Sequence, residues 1–193
     1  MNILKEALEN ITHDFKQLYE ECYLQEIFYT DILAENDDNN IEKTKIINMI
    51  KSNQFWIRNH YKMFLNSLMS GKRASFLTPY NIDDFKEHNV QTFQLKGYPI
   101  GYALKPTENG GIDIISVHNN SNIRNIGDYL IESAKLNGGN MLDHFDGYLS
   151  DFYSKHGFNE YERYKWDDNY APQNWDYEKY GRPDVILRKL TNK

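Results

Sequence analysis

The chain reads as a mixed α/β protein, with two N-terminal helices followed by a mostly antiparallel central sheet flanked by helices. Two long apolar stripes at helical spacing fill the first third. Alternating apolar and polar residues separated by turn signals follow from about residue 90. Helical and extended segments then take turns to the end of the sequence. This divides the chain into an N-terminal helical segment, residues 1–72, and a sheet domain, residues 73–193.

In residues 2–34, Leu4, Leu8, Ile11, Phe15, Leu18 and Cys22 recur at steps of four and three, one stripe on a helix. The polar run Glu35 to Asn40 breaks it. A second helix is expected over residues 41–70 from Ile50, Ile57 and Phe64, with Ile47, Tyr61 and Leu68 beside them, and Gly71 ends it. Such stripes serve internal packing or, alternatively, a dimer seam. Val90 to Leu95 alternates as a strand, Lys96-Gly97 turns the chain, and Tyr98 to Leu104 pairs back. Asn109-Gly110-Gly111 signals a second hairpin into Ile112–Val117, completing a three-strand meander. A helix is expected over 125–136, a strand over 140–145, and a helix over 147–156 closed by Gly157. Tyr161–Trp166 and Asp184–Leu190 supply the last strands, joined by a long aromatic loop.

At 193 residues the chain is long enough to bury a substantial core. Its net charge of −6 argues against nonspecific nucleic-acid binding, which needs a basic face. The single cysteine, Cys22, excludes an intramolecular disulfide and suits a reducing cytoplasm. No apolar run approaches a membrane span, and Met1-Asn2-Ile3-Leu4-Lys5-Glu6 does not open a signal peptide.

The chemistry concentrates in two places. From Val117 the chain runs His118-Asn119-Asn120-Ser121-Asn122-Ile123-Arg124-Asn125-Ile126-Gly127-Asp128, a strand passing through a loop into a helix. Unpaired N–H groups at the positive end of that helix suit an anion. Further on, Phe152-Tyr153-Ser154-Lys155-His156-Gly157-Phe158 reads as a helix ending at a glycine cap.

These segments and the element order resemble the GNAT superfamily of acetyl-CoA-dependent N-acyltransferases. The family's Val-x-x-x-x-Arg/Gln-x-x-Gly-x-Gly/Ala falls, without a gap, on Val117, Asn122, Asn125 and Gly127. Its Asn-x-x-Ala-x-x-Phe-Tyr-x-Lys-x-Gly-Phe falls on Asp146, Leu149, Phe152, Tyr153, Lys155, Gly157 and Phe158. The likeness spans about residues 90–190. It implies a GNAT-like fold and acetyl-CoA as acyl donor. Val117, His118, Asn119, Arg124, Asn125, Ile126, Gly127, Asp128 and Asp146 would form the cofactor-binding set. Tyr153 would be the general acid, since a phenol of pKa near 10 stays protonated at neutral pH.

Three residues depart from the pattern. Asn122 lacks the long donor, Asn125 replaces a glycine that Asn imitates in the left-handed region, and Asp128 sets a carboxylate beside the expected pyrophosphate. Arg124 would offset that charge, and serine at position 128 would tighten binding. Asp113, His118, Asp143 and His144 are candidate bases, with strand parity placing Asp113, Ile115 and Val117 on one face. No metal-ligand spacing joins the histidines. Trp166 to Gly181 is either a receptor for a cationic amine or a loop pinned by its own aromatics.

The resemblance thus implies transfer of an acyl group, acetyl by expectation, to an amine on a small molecule or protein by direct attack in a ternary complex. The alternative is a GNAT-shaped module that binds protein without catalysis. No nucleic acid or membrane is expected as a partner, and a homodimer through the N-terminal helices is the alternative to internal packing of their stripes.

Overall fold

The computed structural model describes residues 40–71, 81–171 and 175–191. The stripe over residues 2–34 lies outside them. One seven-stranded sheet comprises β1 (Trp56–Arg58), β2 (Gln91–Leu95), β3 (Ile100–Pro106), β4 (Ile112–Asn119), β5 (Met141–Phe145), β6 (Phe158–Tyr164) and β7 (Val185–Leu190). Their spatial order is β1-β2-β3-β4-β5-β7-β6. Every neighbouring pair is antiparallel except β4 and β5. The helices are α1 (Asn40–Lys51), α2 (Tyr61–Met69), α3 (Ile82–Glu87), α4 (Gly127–Leu136), α5 (Tyr148–Lys155) and the short α6 (Tyr177–Tyr180).

The meander, α4, β5, α5 and the last two strands stand where periodicity and turn residues put them, within a few residues. Gly97 and Gly110 take the left-handed turn positions at φ 82° and 79°. The single helix expected over 41–70 is instead helix, strand and helix. Asn53 and Asn59 enter the left-handed region at φ 56° and 54°, and either breaks a helix. Between them Trp56 packs edge-on to Tyr102 at 5.1 Å and donates through Nε1 to the Ile50 carbonyl at 3.3 Å. The seven-residue spacing of Ile50, Ile57 and Phe64 therefore joins three elements, not one. The strand it conceals pairs antiparallel with β2 and forms one edge of the sheet.

Helices cover both sheet faces. Ile46, Met49 and Ile50 of α1, Leu130, Ile131 and Ala134 of α4, and Leu149 and Tyr153 of α5 share one core with Phe93, Tyr102, Ile114 and Leu142. Phe64 and Leu68 of α2 and Phe85 of α3 bury the other face over Ala103 and Ile115. Helix α3 carries a capping box between Asn81 and Asp84. A third cluster, Phe145, Trp175 and Val185, lies under the C-terminal loop.

Strand β4 carries an irregularity that parity alone misses. Ile115 pairs with Ala103 and His118 with Gly101, so Ser116 and Val117 together face Tyr102. Ser116 sits at φ 52°, the mark of a bulge. The extra residue sends Val117 into the core with Ile114, away from Ile115. Gly101 is needed here because a Cβ would lie 2.8 Å from the His118 ring and 2.6 Å from the Phe93 carbonyl.

Candidate functional site

The two parallel strands barely pair. Their register is a single couple, Asp113↔Met141, at the start of each. An Asn140 amide bond to the Ile112 carbonyl, 2.9 Å, closes that end. β4 then continues to Asn119 and β5 to Phe145 without further pairing. The strands part towards their C-terminal ends, the side from which loops of parallel strands address ligands.

The loop between β4 and α4 is built from its own asparagines. Buried Asn119 donates through Nδ2 to the Ile123 carbonyl at 2.6 Å. Its Oδ1 accepts from the Ser121 amide at 3.1 Å and hydroxyl at 2.6 Å. Asn120 reaches the C-terminal turn of α2, donating to the Ser67 carbonyl at 2.8 Å. Ile123 and Ile126 plug the loop into the core. Asn125, exposed, adopts φ 58°, so the residue in the glycine position takes the left-handed conformation that glycine would supply. Helix α4 begins at Gly127 after Ile126, and no side chain caps its first amides.

Asp128 does not point a bare charge into this opening. Its Oδ1 accepts from Lys155 Nζ at 3.0 Å and lies 2.8 Å from His156 Nε2. The opposite ring nitrogen of His156 lies 2.8 Å from Glu132 Oε1. Partial burial would raise the Asp128 carboxyl, but the hydrogen bonds and charges of Lys155 and His156 outweigh it and hold the group below its ordinary value. Glu132 is lowered in the same way against its own burial by Lys135 and His156. The carboxylates stand at i and i+4 on α4, and the two basic residues end α5. The arrangement clasps the helices together beside the loop.

The side chains of Val117, His118 and Ile126 face inward. What approaches this end of β4 therefore meets main chain, the half-buried Arg124 and exposed Asn122 and Asn125. Asp146 stands apart from the loop cluster, tied to Arg163 Nη1 at 2.6 Å and Ser150 Oγ at 2.9 Å. Arg163 and Ser150 hold its carboxyl down against a smaller desolvation effect, with the Arg163 hydrogen bond largest.

Tyr153 lies on the inner face of α5 with no exposed surface. Its ring centre is 5.2 Å from His144 and 6.2 Å from Phe158. His144 donates from Nδ1 to the Phe145 carbonyl at 2.6 Å, which leaves Nε2 to accept from Arg188 Nε at 2.7 Å. Burial draws its pKa down to about 4. His118 is matched on the other face. Its Nδ1 donates to the Ser116 carbonyl at 3.1 Å, Nε2 accepts from Ser67 Oγ at 2.8 Å, and burial again brings it to about 4. The two histidines among the candidate bases are thus neutral packed imidazoles with both ring nitrogens bonded. Asp143 is buried and Asp113 half-buried. Burial first, then the charges of Asp113, Glu162 and Asp143, push Tyr161 up to about 12.

Among the described residues no cluster of metal-ligating side chains occurs and no helix is long and apolar enough to cross a membrane. The C-terminal loop packs on itself. Trp166 and Trp175 lie 4.7 Å apart, Phe145 meets Trp175 at 4.9 Å, and Arg182 sits 4.6 Å over Tyr177. Sequence reasoning passed over Glu132 and His156, although an i,i+4 acidic pair is a readable signal. It also passed over the organising role of Asn119, which depends on a loop shape no local rule supplies.

No family model and no curated protein sequence matches the chain. Solved structures do. A GNAT family acetyltransferase from Elizabethkingia anophelis with acetyl-CoA bound is 19% identical, over 65% of this chain and 88% of that one, at a TM-score of 0.41. A Bacillus subtilis acetyltransferase in complex with CoA is 13% identical, over 68% and 93%, at 0.44. N-acetylglutamate synthase from Neisseria gonorrhoeae, complexed with coenzyme A and L-arginine, is 15% identical over 72% of this chain and 34% of that one, at 0.41. These are partial likenesses of chain path.

Proposed function

We propose that this chain is an acyl-CoA-dependent N-acyltransferase, with acetyl-CoA as donor and an amine as acceptor. The observation that carries the reading is Asn125 in the left-handed conformation, one step before the uncapped start of α4, where β4 leaves β5. A left-handed residue beside an uncapped helix start supports this reading, since free first-turn amides are what binding of a pyrophosphate requires. The carboxylate of Asp128, the main chemical objection, is already engaged by Lys155 and His156.

In this reading the acceptor nitrogen attacks the thioester carbon while both substrates are bound. The C–N bond forms, the C–S bond breaks, and the thiolate takes a proton from the Tyr153 hydroxyl. The amine sheds its proton to water and not to His118 or His144, whose ring nitrogens are all engaged. The carboxylates acting on Tyr161 make the sheet between β4 and β6 suited to a cationic amine.

Complete burial of Tyr153 favours a second reading, a GNAT-shaped binding module in which that tyrosine is a core residue. Titration of acetyl-CoA by calorimetry tests the first. Absence of binding at millimolar donor would end it. If the donor binds, thiol release with a panel of amines should follow, and Tyr153→Phe should slow turnover roughly 100-fold with binding retained. Binding without thiol release from any amine leaves the module reading.

A further inference from the structure

The sequence holds two Asn-Gly dipeptides, and both extend to Asn-Gly-Gly: Asn109-Gly110-Gly111 and Asn137-Gly138-Gly139. Such pairs are chemically reactive, because glycine puts no side chain between its nitrogen and the neighbouring side-chain amide. The fold treats the two copies differently. Asn109 and Gly110 are exposed at the tip of the β3–β4 hairpin, and no hydrogen bond holds the Asn109 side chain among the described residues. Asn137, at the C-cap of α4, is held at both ends of its amide. Its Nδ2 donates to the Tyr102 hydroxyl and the Ser133 carbonyl, each at 2.9 Å, and its Oδ1 accepts from Arg58 Nη2 at 3.1 Å. Tyr102 is itself buried and bonded to Ser133 Oγ at 3.0 Å. The main-chain amide after each asparagine is bonded alike, Gly110 to the Thr107 carbonyl at 3.1 Å and Gly138 to the Lys135 carbonyl at 3.0 Å. What separates the copies is the freedom of the asparagine side chain.

We propose that Asn109 is a site of spontaneous deamidation and isomerisation, and that the bonds on Asn137 keep the same tripeptide there inert. At Asn109 the Gly110 nitrogen gives its proton to solvent base and attacks the side-chain Cγ. A C–N bond forms and closes a succinimide ring, the bond from Cγ to Nδ2 breaks, and the side-chain nitrogen leaves as ammonia. Water then opens the ring at one carbonyl or the other, to aspartate or to isoaspartate. Either product adds a negative charge, and isoaspartate routes the main chain through Cβ, which lengthens the turn by a methylene. That turn is set by the Thr107 amide on the Gly111 carbonyl, 3.0 Å, and the Gly111 amide on Thr107 Oγ1, 2.9 Å, immediately before β4. At Asn137 ring closure needs the side chain to turn onto the Gly138 nitrogen, which first breaks its bonds to Tyr102, Ser133 and Arg58. The inference is independent of the acyltransferase reading.

Full-length protein aged in mildly alkaline buffer tests it. Peptide mapping by mass spectrometry reads deamidation, and isoaspartyl methyltransferase with its methyl donor reads isoaspartate. The Asn109 peptide should convert, and the Asn137 peptide at least about tenfold more slowly, because reaction there waits on local opening. In urea the two should convert at similar rates. Arg58→Met removes the donor to Asn137 Oδ1 and should speed conversion there severalfold with Asn109 unchanged. If Arg58→Met does not fold, Tyr102→Phe, which removes an acceptor of Nδ2, is read instead with the same expectation. Equal rates in the native protein would overturn the proposal. So would an Asn137 that stays inert in urea, or one that neither substitution accelerates.

Discussion

At the scale of single residues, Asn125 does work that spacing identifies only in part. Asn125 keeps the left-handed conformation at φ 58° without glycine. We expect Asn125→Ala to lower stability by about 1 kcal/mol, because a Cβ without a compensating polar group is disfavoured there. Asn125→Gly should be neutral or stabilising; urea denaturation of both variants checks the pair. The histidines make a pH prediction. His118 and His144 titrate near 4 when folded, against an ordinary value of about 6.5. Between those values the unfolded chain binds more protons, so their contribution is intact above about pH 6.5 and is lost as pH falls towards 4. Each contributes a slope of up to about 1.4 kcal/mol per pH unit. Urea midpoints measured from neutral to mildly acid pH should fall accordingly, and His144→Gln should remove about half the dependence. A flat profile would contradict the neutral assignment of both rings.

At the scale of elements, the clasp between α4 and α5 changes the meaning of Asp128. The sequence presents it as a repulsive charge, and serine there as an improvement. With Lys155 and His156 bonded to it, Asp128→Asn should alter acetyl-CoA affinity little. In a Lys155→Met, His156→Ala background the same change should tighten binding about fivefold, the effect of a bare exposed carboxylate beside an anion. Calorimetry on the four proteins decides it. His156→Ala alone should cost about 1 kcal/mol, since both its partners are half-exposed. The meander was legible because Lys96-Gly97 and Asn109-Gly110-Gly111 specify turns by local chemistry. β1 was not, because a three-residue strand carries too little pattern to compete with the helical spacing around it. The bulge at Ser116 was hidden for a related reason. Strand parity counts residues on one chain, whereas a bulge is a mismatch between two.

For the whole molecule, the sheet is covered on both faces by helices and closed at one end by the aromatic loop. Trp175, 7% exposed, is the keystone of that cluster, touching Phe145, Trp166 and Tyr180. Trp175→Ala should cost about 3 kcal/mol, read as a lowered melting temperature. Its aromatic faces meet one another and the side chains of Arg182 and Lys179, so the loop is pinned by its own residues.

The sequence by itself determined the mixed fold, the meander, the glycine-capped helices and the ungapped spacing from Val117 to Gly127. Each is written in neighbouring residues through periodicity, turn chemistry or a cap. Only the tertiary structure decided that β1 completes the sheet, that Tyr153 is wholly buried, and that Asp128 is engaged from 27 and 28 residues away. Those outcomes depend on which side chains meet after the chain has closed on itself, and no local pattern encodes such a meeting.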